Sequence, residues 1–396
     1  MKITDIQTHI IQGPGRTLVI VTVDTDEGLN GVGEAGLQRR THAIAGAVKH
    51  LRRWLVGQDP MRIEHLWQRM FRGGFYPGDR LIGSAIAGID IALWDIKAQT
   101  LGVPVYELLG GLCREYVQCF GKPGYLPGTP TPESDDLLNR AVAVGDPDAT
   151  AELAKRCLAN DHVYFRLGPE AEGDLFEPRQ AVRRLLAQLR AVRDAVGDAL
   201  ELMVDLHGRL DPPEAVWFCR EAEPLGLFVV EDPIRAEHPA AYRQLRQHVN
   251  VPLAAGEQWA NKWEFRLAIE ENLIDYARID VCIAGGLTEA KKIAAAAETH
   301  YIKLLLHNPL GPVCTAAALH LDLACNNAGP QEIIFPPATM LPDVFECSFE
   351  LQGTRLTIPT GSGLGVRFNP EAAKKHPGQM TEPPHFHRPD GSYTNY

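Results

Sequence analysis

Two periodicities divide the chain. Over residues 1 to about 115, apolar positions first alternate and then recur at helical spacing; from about 116 they return as short apolar runs separated by helical stretches. The opening MKITDIQTHIIQ is a short amphipathic strand. Residues 18–23 and 29–35 form two more strands around the turn Asp26-Glu27-Gly28, which makes a hairpin. Helices are predicted near 41–56, 60–71 and 80–101. In the last, Ile82, Ile86, Ile89, Leu93 and Ile96 share a face, and Gly102 closes it. Strands first and helices second predict a separate α+β domain over 1–115.

Beyond 116 the pattern is a repeated strand–helix unit. Candidate strands are 116–120, 162–167, 201–206, 227–231, 252–256, 276–280, 302–306 and 332–335, with helical segments such as 214–223 and 288–300 between them. Eight strands with regular crossovers fit a closed parallel barrel over 116–336, and an open doubly wound sheet is the competing architecture. Residues 127–148, rich in Pro, Gly and acid, are expected to be a surface excursion. After 336 the chain leaves the repeat and ends in a polar tail with GSGLG and PHFHRPDG.

Six polar residues close apolar runs at the stride of this unit: Asp205, Glu231, Glu257, Asp280, His307 and Glu332, at intervals of 26, 26, 23, 27 and 25 residues. Strand ends of a parallel barrel face one rim, where such barrels do their chemistry. Asp205, Glu231 and Glu257 end three consecutive strands and supply only oxygen, which favours Mg²⁺, with Mn²⁺ possible, over zinc. An acid at a strand end also serves to cap the following helix, so a single one says little. Three in successive register point to a metal.

Fourteen histidines make any lone one uninformative, but two stand apart by position. His207 lies two residues after Asp205, so alternation places both on one side. His307 ends the apolar Ile-Lys-Leu-Leu-Leu run, and the preceding strand ends in Asp280. A neighbouring carboxylate fixes the tautomer of an imidazole and raises its pKa, as a general base requires. His385 and His387 form an H-x-H in a Pro-rich stretch without a third ligand and are read as tail residues. Gly31-Val32-Gly33-Glu34-Ala35-Gly36 spells G-x-G-x-x-G but lies on the return strand of a hairpin, outside any βαβ unit, so a dinucleotide site is rejected.

Bulk properties narrow the class further. The balance of 39 Lys+Arg against 50 Asp+Glu disfavours nucleic acid or an anionic membrane as partner. No apolar run approaches a membrane span, and the start lacks the core of a signal peptide. Eight cysteines without a CxxC pair, several inside apolar runs, suit a reduced cytoplasmic protein.

The residues now resemble the enolase superfamily in its mandelate racemase branch. Ala87-Gly88-Ile89-Asp90-Ile91-Ala92-Leu93-Trp94-Asp95 with Val103-Pro104-Val105-Tyr106-Glu107-Leu108-Leu109-Gly110 is a run characteristic of that branch. Val204-Asp205-Leu206-His207-Gly208-Arg209, Glu231-Asp232-Pro233, Ala255-Gly256-Glu257 and His307-Asn308-Pro309-Leu310-Gly311-Pro312 resemble its acid-sugar dehydratases, especially the galactonate type. The tail resembles mannonate and gluconate dehydratase relatives.

The resemblance implies an N-terminal cap, a modified (β/α)7β barrel, Mg²⁺ on Asp205, Glu231 and Glu257, and a C-terminal segment (337–396) that returns to the cap. It also implies a homo-oligomer and a small sugar-acid substrate. His307, oriented by Asp280, would remove the α-proton. Glu332, if protonated, would donate a hydrogen bond to the enediolate, and His207 would protonate the departing 3-hydroxyl. Many racemases and cycloisomerases of the branch carry Lys-x-Lys after the second barrel strand, where this chain has Tyr164-Phe165-Arg166. Arg166 stays protonated, so it suits a carboxylate or hydroxyl clamp and disfavours two-sided proton exchange. Dehydration is therefore expected. Epimerisation or cycloisomerisation through the same enediolate, a non-catalytic family member and a hydrolytic metallo-barrel are the competing readings. Loops over the mouth are expected at 12–16 and 72–80, with Arg72, Tyr76 and Arg80 as substrate contacts.

Overall fold

The computed structural model describes residues 1–121, 135–171, 173–380 and 385–394. The first three strands, β1 (Ile3–Gly13), β2 (Arg16–Thr25) and β3 (Asn30–Ala35), form an antiparallel meander. Helices α1 (Thr41–Leu55), α2 (Ile63–Arg72) and α3 (Arg80–Leu101) follow. Asp79 caps α3 by accepting from the Ile82 N–H at 3.0 Å, and Gly102, at φ +69°, ends it in the left-handed conformation. The glycines of the rejected dinucleotide motif have a packing reason instead. A Cβ at Gly31 would lie 2.1 Å from the Ala92 carbonyl oxygen and one at Gly33 1.8 Å from that of Gly88, so only glycine lets α3 lie against β3.

The repeat that follows contains eight short parallel strands: β4 (Val117–Phe120), β5 (Tyr164–Leu167), β6 (Glu201–Asp205), β7 (Val229–Glu231), β8 (Leu253–Ala255), β9 (Tyr276–Ala277), β10 (Lys303–Leu304) and β11 (Gln331–Glu332). Strands β5 to β10 pair in sequence order as one parallel arc, and β11 pairs in parallel with β4. A parallel bridge between Leu304 and Ala328 joins β10 to the segment entering β11. The interior is shared around the ring: Phe120, Met203, Val229, Ala254 and Leu305 form one buried cluster with Tyr164, Phe228 and Tyr276 against it. The architecture is the α/β barrel with a cap that the sequence predicts.

The strands at 276–280 and 302–306 are paired over two residues only. Extended bonding continues past them, with Leu305 N–H to the Ala277 carbonyl and His307 N–H to that of Ile279, each at 3.0 Å. The surface excursion expected at 127–148 needs correction. Residues 122–134 lie outside the described residues, but from Asp136 the chain is helical, over Asp136–Asn139, a π turn Arg140–Val144, and Pro147–Ala159. Leu138 and Ala141 are buried there, and the Gln188 side chain donates to the Ala141 carbonyl at 2.8 Å. Apolar spacing within the acidic stretch overrode its loop-like composition.

The C-terminal segment serves three neighbours. Strands β12 (Phe345–Cys347) and β15 (Val366–Phe368) pair antiparallel, and the hairpin β13 (Leu351–Gln352) and β14 (Arg355–Leu356) extends the sheet at β4. Residues 376–379 return to the cap, where the Gly378 N–H donates to the Ile10 carbonyl at 3.0 Å and the Thr17 hydroxyl to that of Gln379 at 2.6 Å. The last described stretch, 385–394, does not trail away as a polar tail. It docks on the barrel at Leu175–Phe176 with Phe386 buried.

Buried carboxylates stitch cap to barrel. Glu34 on β3 accepts from the Gly311 and Cys314 N–H groups, each at 2.9 Å, at the start of the helix Pro312–Leu323. Asp90 on α3 accepts from the Thr288 N–H at 3.0 Å and hydroxyl at 2.6 Å.

Candidate active site and metal centre

A cavity of about 820 Å³ opens where the cap meets the C-terminal ends of the barrel strands. Asp205, His207, Glu257, Asp280, His307 and Glu332 line it together with Arg166. Glu231, fully buried, lies at its floor, paired in register with Asp205. The strand-end acids and histidines predicted from the sequence therefore gather at one mouth, Glu231 through its pairing with Asp205. A second cavity of about 720 Å³ lies beside His9, Asp24 and Arg367 and contains none of them.

Each acid is placed by local backbone. Asp205 and Glu231 are the last residues of β6 and β7. Glu257 follows Gly256, whose φ of +131° is barred to other residues and where a Cβ would lie 2.4 Å from the Phe265 ring. Past β6 the chain turns at His207, φ +49°, with its N–H donating to Asp205 Oδ1 at 3.0 Å. That turn, rather than strand alternation, brings the imidazole Nε2 to 2.9 Å from Asp205 Oδ2.

Two buried arginines run through the acids. Arg166 reaches Glu231 at 3.0 Å, Asp205 at 3.5 Å and Glu332 at 2.5 Å; Arg278 reaches Glu332 at 2.8 Å, Glu231 at 3.2 Å and Glu257 at 3.6 Å. Arg166 lines the cavity, yet its guanidinium is committed to three carboxylates, so it is less free a clamp than the sequence suggested. Arg278 was missed. The available signal was Ala-Arg-Ile-Asp, in which an arginine two residues before Asp280 shares its side of an extended chain.

Four acids, Asp205, Glu231, Glu257 and Glu332, thus contact the two fixed cations while Asp280 pairs with His307, and Glu231 Oε1 and Glu257 Oε2 accept no hydrogen bond. Burial, assisted by Asp205 and Glu332, lifts the Glu231 carboxyl to about 7 against the pull of both arginines. Unpartnered carboxylate oxygens and excess negative charge fit a hard divalent cation held by Asp205, Glu231 and Glu257. The tightest grouping of ligating atoms among the described residues is a different one, Asp280, Cys282 and Cys314 within 4.8 Å. Burial pushes the Cys282 thiol well up, and Asp280 is already engaged with His307, so this is packing beside the Asp280–His307 pair.

His307 Nδ1 lies 2.8 Å from Asp280 Oδ2, and Nε2 lies 3.6 Å from Glu257 Oε2. Burial opposes a charged imidazole, but Glu257 and Asp280 outweigh it and raise the histidine to about 9. The Glu332 carboxyl goes the other way: burial would lift it, but Arg166 and Arg278 hold it well below the usual range. It accepts hydrogen bonds here, so the neutral donor expected from the sequence is not what this setting provides.

Residues 5–110 match the mandelate racemase / muconate lactonizing enzyme N-terminal domain, and residues 149–373 match the enolase C-terminal domain-like family. The chain belongs to the enolase superfamily. It is 37% identical over 373 residues to a D-galactonate dehydratase of Ralstonia pickettii, covering 92% of each chain. It is 34% identical to a D-mannonate dehydratase of Caulobacter sp., over the whole of both. Among solved structures, an enolase from Pantoea ananatis with bound D-gluconate and Mg superposes with a TM-score of 0.90 at 29% identity, covering both chains fully.

Within this enolase-superfamily frame the cap lines the mouth with a different set of segments from the one the sequence suggested. Gly15 and Arg16 line the cavity as expected, and so does Arg80, which donates to the Gln258 carbonyl. Arg72 instead stacks on Trp263 at 5.6 Å, and Tyr76 is exposed against Phe75, so neither lines the mouth. Residues 37–40 do line it, and Leu37 and Arg39 adopt positive φ there; nothing in their composition marked them. Among the described residues no helix is long and apolar enough to cross a membrane.

Proposed function

We propose that this enzyme is a Mg²⁺-dependent hydro-lyase of an acid sugar, an aldonate such as galactonate, mannonate or gluconate, that yields a 2-keto-3-deoxy acid. The single observation that carries it is the juxtaposition, in one cavity, of the Asp280–His307 pair with Asp205, Glu231 and Glu257, whose oxygens are left short of donors. The named relatives and the gluconate-bound neighbour supply the substrate class. When bound by the three acids, Mg²⁺ supplies charge stabilisation for a carboxylate that is accepting electrons.

His307, oriented by Asp280, takes the α-proton, and the C–H electron pair moves into the carboxylate to form an enediolate. Arg166 and Arg278 hold Glu332 and Glu231 in place and keep the floor of the site from expelling an anion. His207, half-buried at the rim, gives a proton to the 3-hydroxyl, which leaves as water. The resulting enol tautomerises to the ketone. Arg166 is no base, and that disfavours two-sided exchange.

The test is a library of mono- and diacid sugars incubated with the protein and Mg²⁺. Loss of water with appearance of a 2-keto-3-deoxy acid is expected. Isomerisation without mass change would replace dehydration by epimerisation, and inertness toward the whole library would remove the reading.

A further inference from the structure

The final described stretch, 385–394, is polar in sequence yet closely fitted. It folds as a small hairpin in which His387 pairs with Tyr393, the Arg388 N–H donates to the Ser392 carbonyl at 2.9 Å, and the Thr394 N–H donates to that of Phe386 at 3.0 Å. Asp390 fixes the turn by accepting from the Ser392 N–H at 2.9 Å and hydroxyl at 2.6 Å.

One edge of the hairpin is tied to the barrel. The His387 N–H donates to the Asp174 carbonyl at 2.9 Å, and the Phe176 N–H returns a bond to His387 at 3.1 Å. Phe386 is buried with its ring 5.9 Å from Phe176, and the Arg209 guanidinium lies 4.9 Å from the Phe386 ring and 5.7 Å from that of Phe176. Arg209 is two residues from His207, and its Nη1 donates to the Pro169 carbonyl at 2.5 Å. The anchor of the hairpin therefore touches the turn that carries His207. Phe386 and Thr394, directly opposed, share the buried side, while Tyr393 lines the same cavity as His207 and His307.

We propose that residues 385–394 form a fixed wall of the substrate cavity in which Tyr393 determines specificity for the hydroxyl-bearing end of the acid sugar, with Phe386 and Arg209 as positioning residues for the wall and the His207 turn. The carboxylate end of such a substrate belongs on the floor, among Glu231 and the arginines. Tyr393, 69% exposed, stands at the rim and meets the far end. A phenol both donates to and accepts from sugar hydroxyls, and its ring covers their C–H faces. The inference rests on the acid-sugar reading above and extends it to a chain segment outside the barrel repeat.

The test uses the full chain with Mg²⁺ and whichever six-carbon aldonate it turns over. Tyr393→Phe removes one hydrogen bond to an uncharged group and is expected to raise KM roughly 3- to 10-fold, with kcat much less affected. The penalty shrinks on a shorter hydroxy acid that lacks the distal hydroxyls. Phe386→Ala is expected to raise KM and lower kcat together, and to speed backbone hydrogen exchange at 205–209. Turnover with KM unchanged in both Tyr393→Phe and Tyr393→Ala would overturn the specificity role, and unchanged exchange in Phe386→Ala the anchor. Absence of turnover by the parent chain on every acid sugar would instead overturn the acid-sugar reading, while the exchange measurement still decides the anchor.

Discussion

The seam between cap and barrel and the mouth of the barrel both bury carboxylates, and they treat them in opposite ways. At the seam Glu34 and Asp90 each accept two hydrogen bonds, chiefly from backbone N–H groups, and so does Asp95 where the cap meets the C-terminal segment, from Val32 at 3.0 Å and Leu364 at 2.8 Å. Burial still lifts Glu34 and Asp90 to about 7 and Asp95 to about 6, but the donors are neutral and every acid has its set. At the mouth the acids face one another across two guanidinium groups, and oxygens of Glu231 and Glu257 go without a donor. Burial and a raised pKa are common to both regions, so neither marks function. What separates them is acceptor capacity left over beside like charge, which native interiors otherwise avoid.

That contrast is most sharply broken by Glu231→Gln. It removes one of the three proposed ligands and is expected to abolish Mg²⁺ binding by calorimetry and to lower kcat/KM by more than about 10³-fold, beyond the usual loss of one oxyanion donor. His307→Asn is expected to retain Mg²⁺ while turnover falls by about 10² to 10⁴-fold, the range for a lost general base. Exchange of the substrate α-proton with deuterated water should vanish with it; retained exchange would assign the base elsewhere.

Away from the mouth the same kind of change should act on stability alone. Asp95→Ala leaves the Val32 and Leu364 N–H groups buried without an acceptor, and unfolding in urea should reveal a loss on the order of 3 kcal/mol with Mg²⁺ affinity intact. The smallest effect concerns His320, which is fully buried, accepts from the Tyr106 N–H at its Nδ1 and lies with Nε2 3.0 Å from the Leu364 carbonyl. Burial lowers it to about 4, and the bond to Leu364 offsets only part of that. A depressed folded pKa means a contribution fully present above the unfolded value near 6.5 and lost as pH falls toward 4. By linkage it amounts to about 2 kcal/mol of lost stability at pH 5. Comparing wild type with His320→Gln between pH 7 and pH 5 isolates it, because the variant lacks that slope.

Much of this was legible in the chain. The hairpin and helices of the cap appear with their boundaries nearly intact, because alternation, a 3.6-residue period and Gly102 are local signals. Strand-end acids were legible because the repeat spaces them regularly. Arg278 was not, since a buried arginine in an apolar strand is explained only by acids contributed from other strands. Glu332 was identified but its ionisation was not, because Arg166 and Arg278 are both far from it in sequence. The docking of 385–394 was equally hidden: one phenylalanine in a polar stretch carries no periodicity, and its partners Phe176 and Arg209 lie in other loops.

The position of Glu34 has one more consequence. Its carboxylate occupies the amino end of the helix that begins five residues after His307, so separating the two domains would strip that helix terminus and disturb the segment carrying His307 in a single motion. A clamshell hinge is therefore an expensive way to admit a guest.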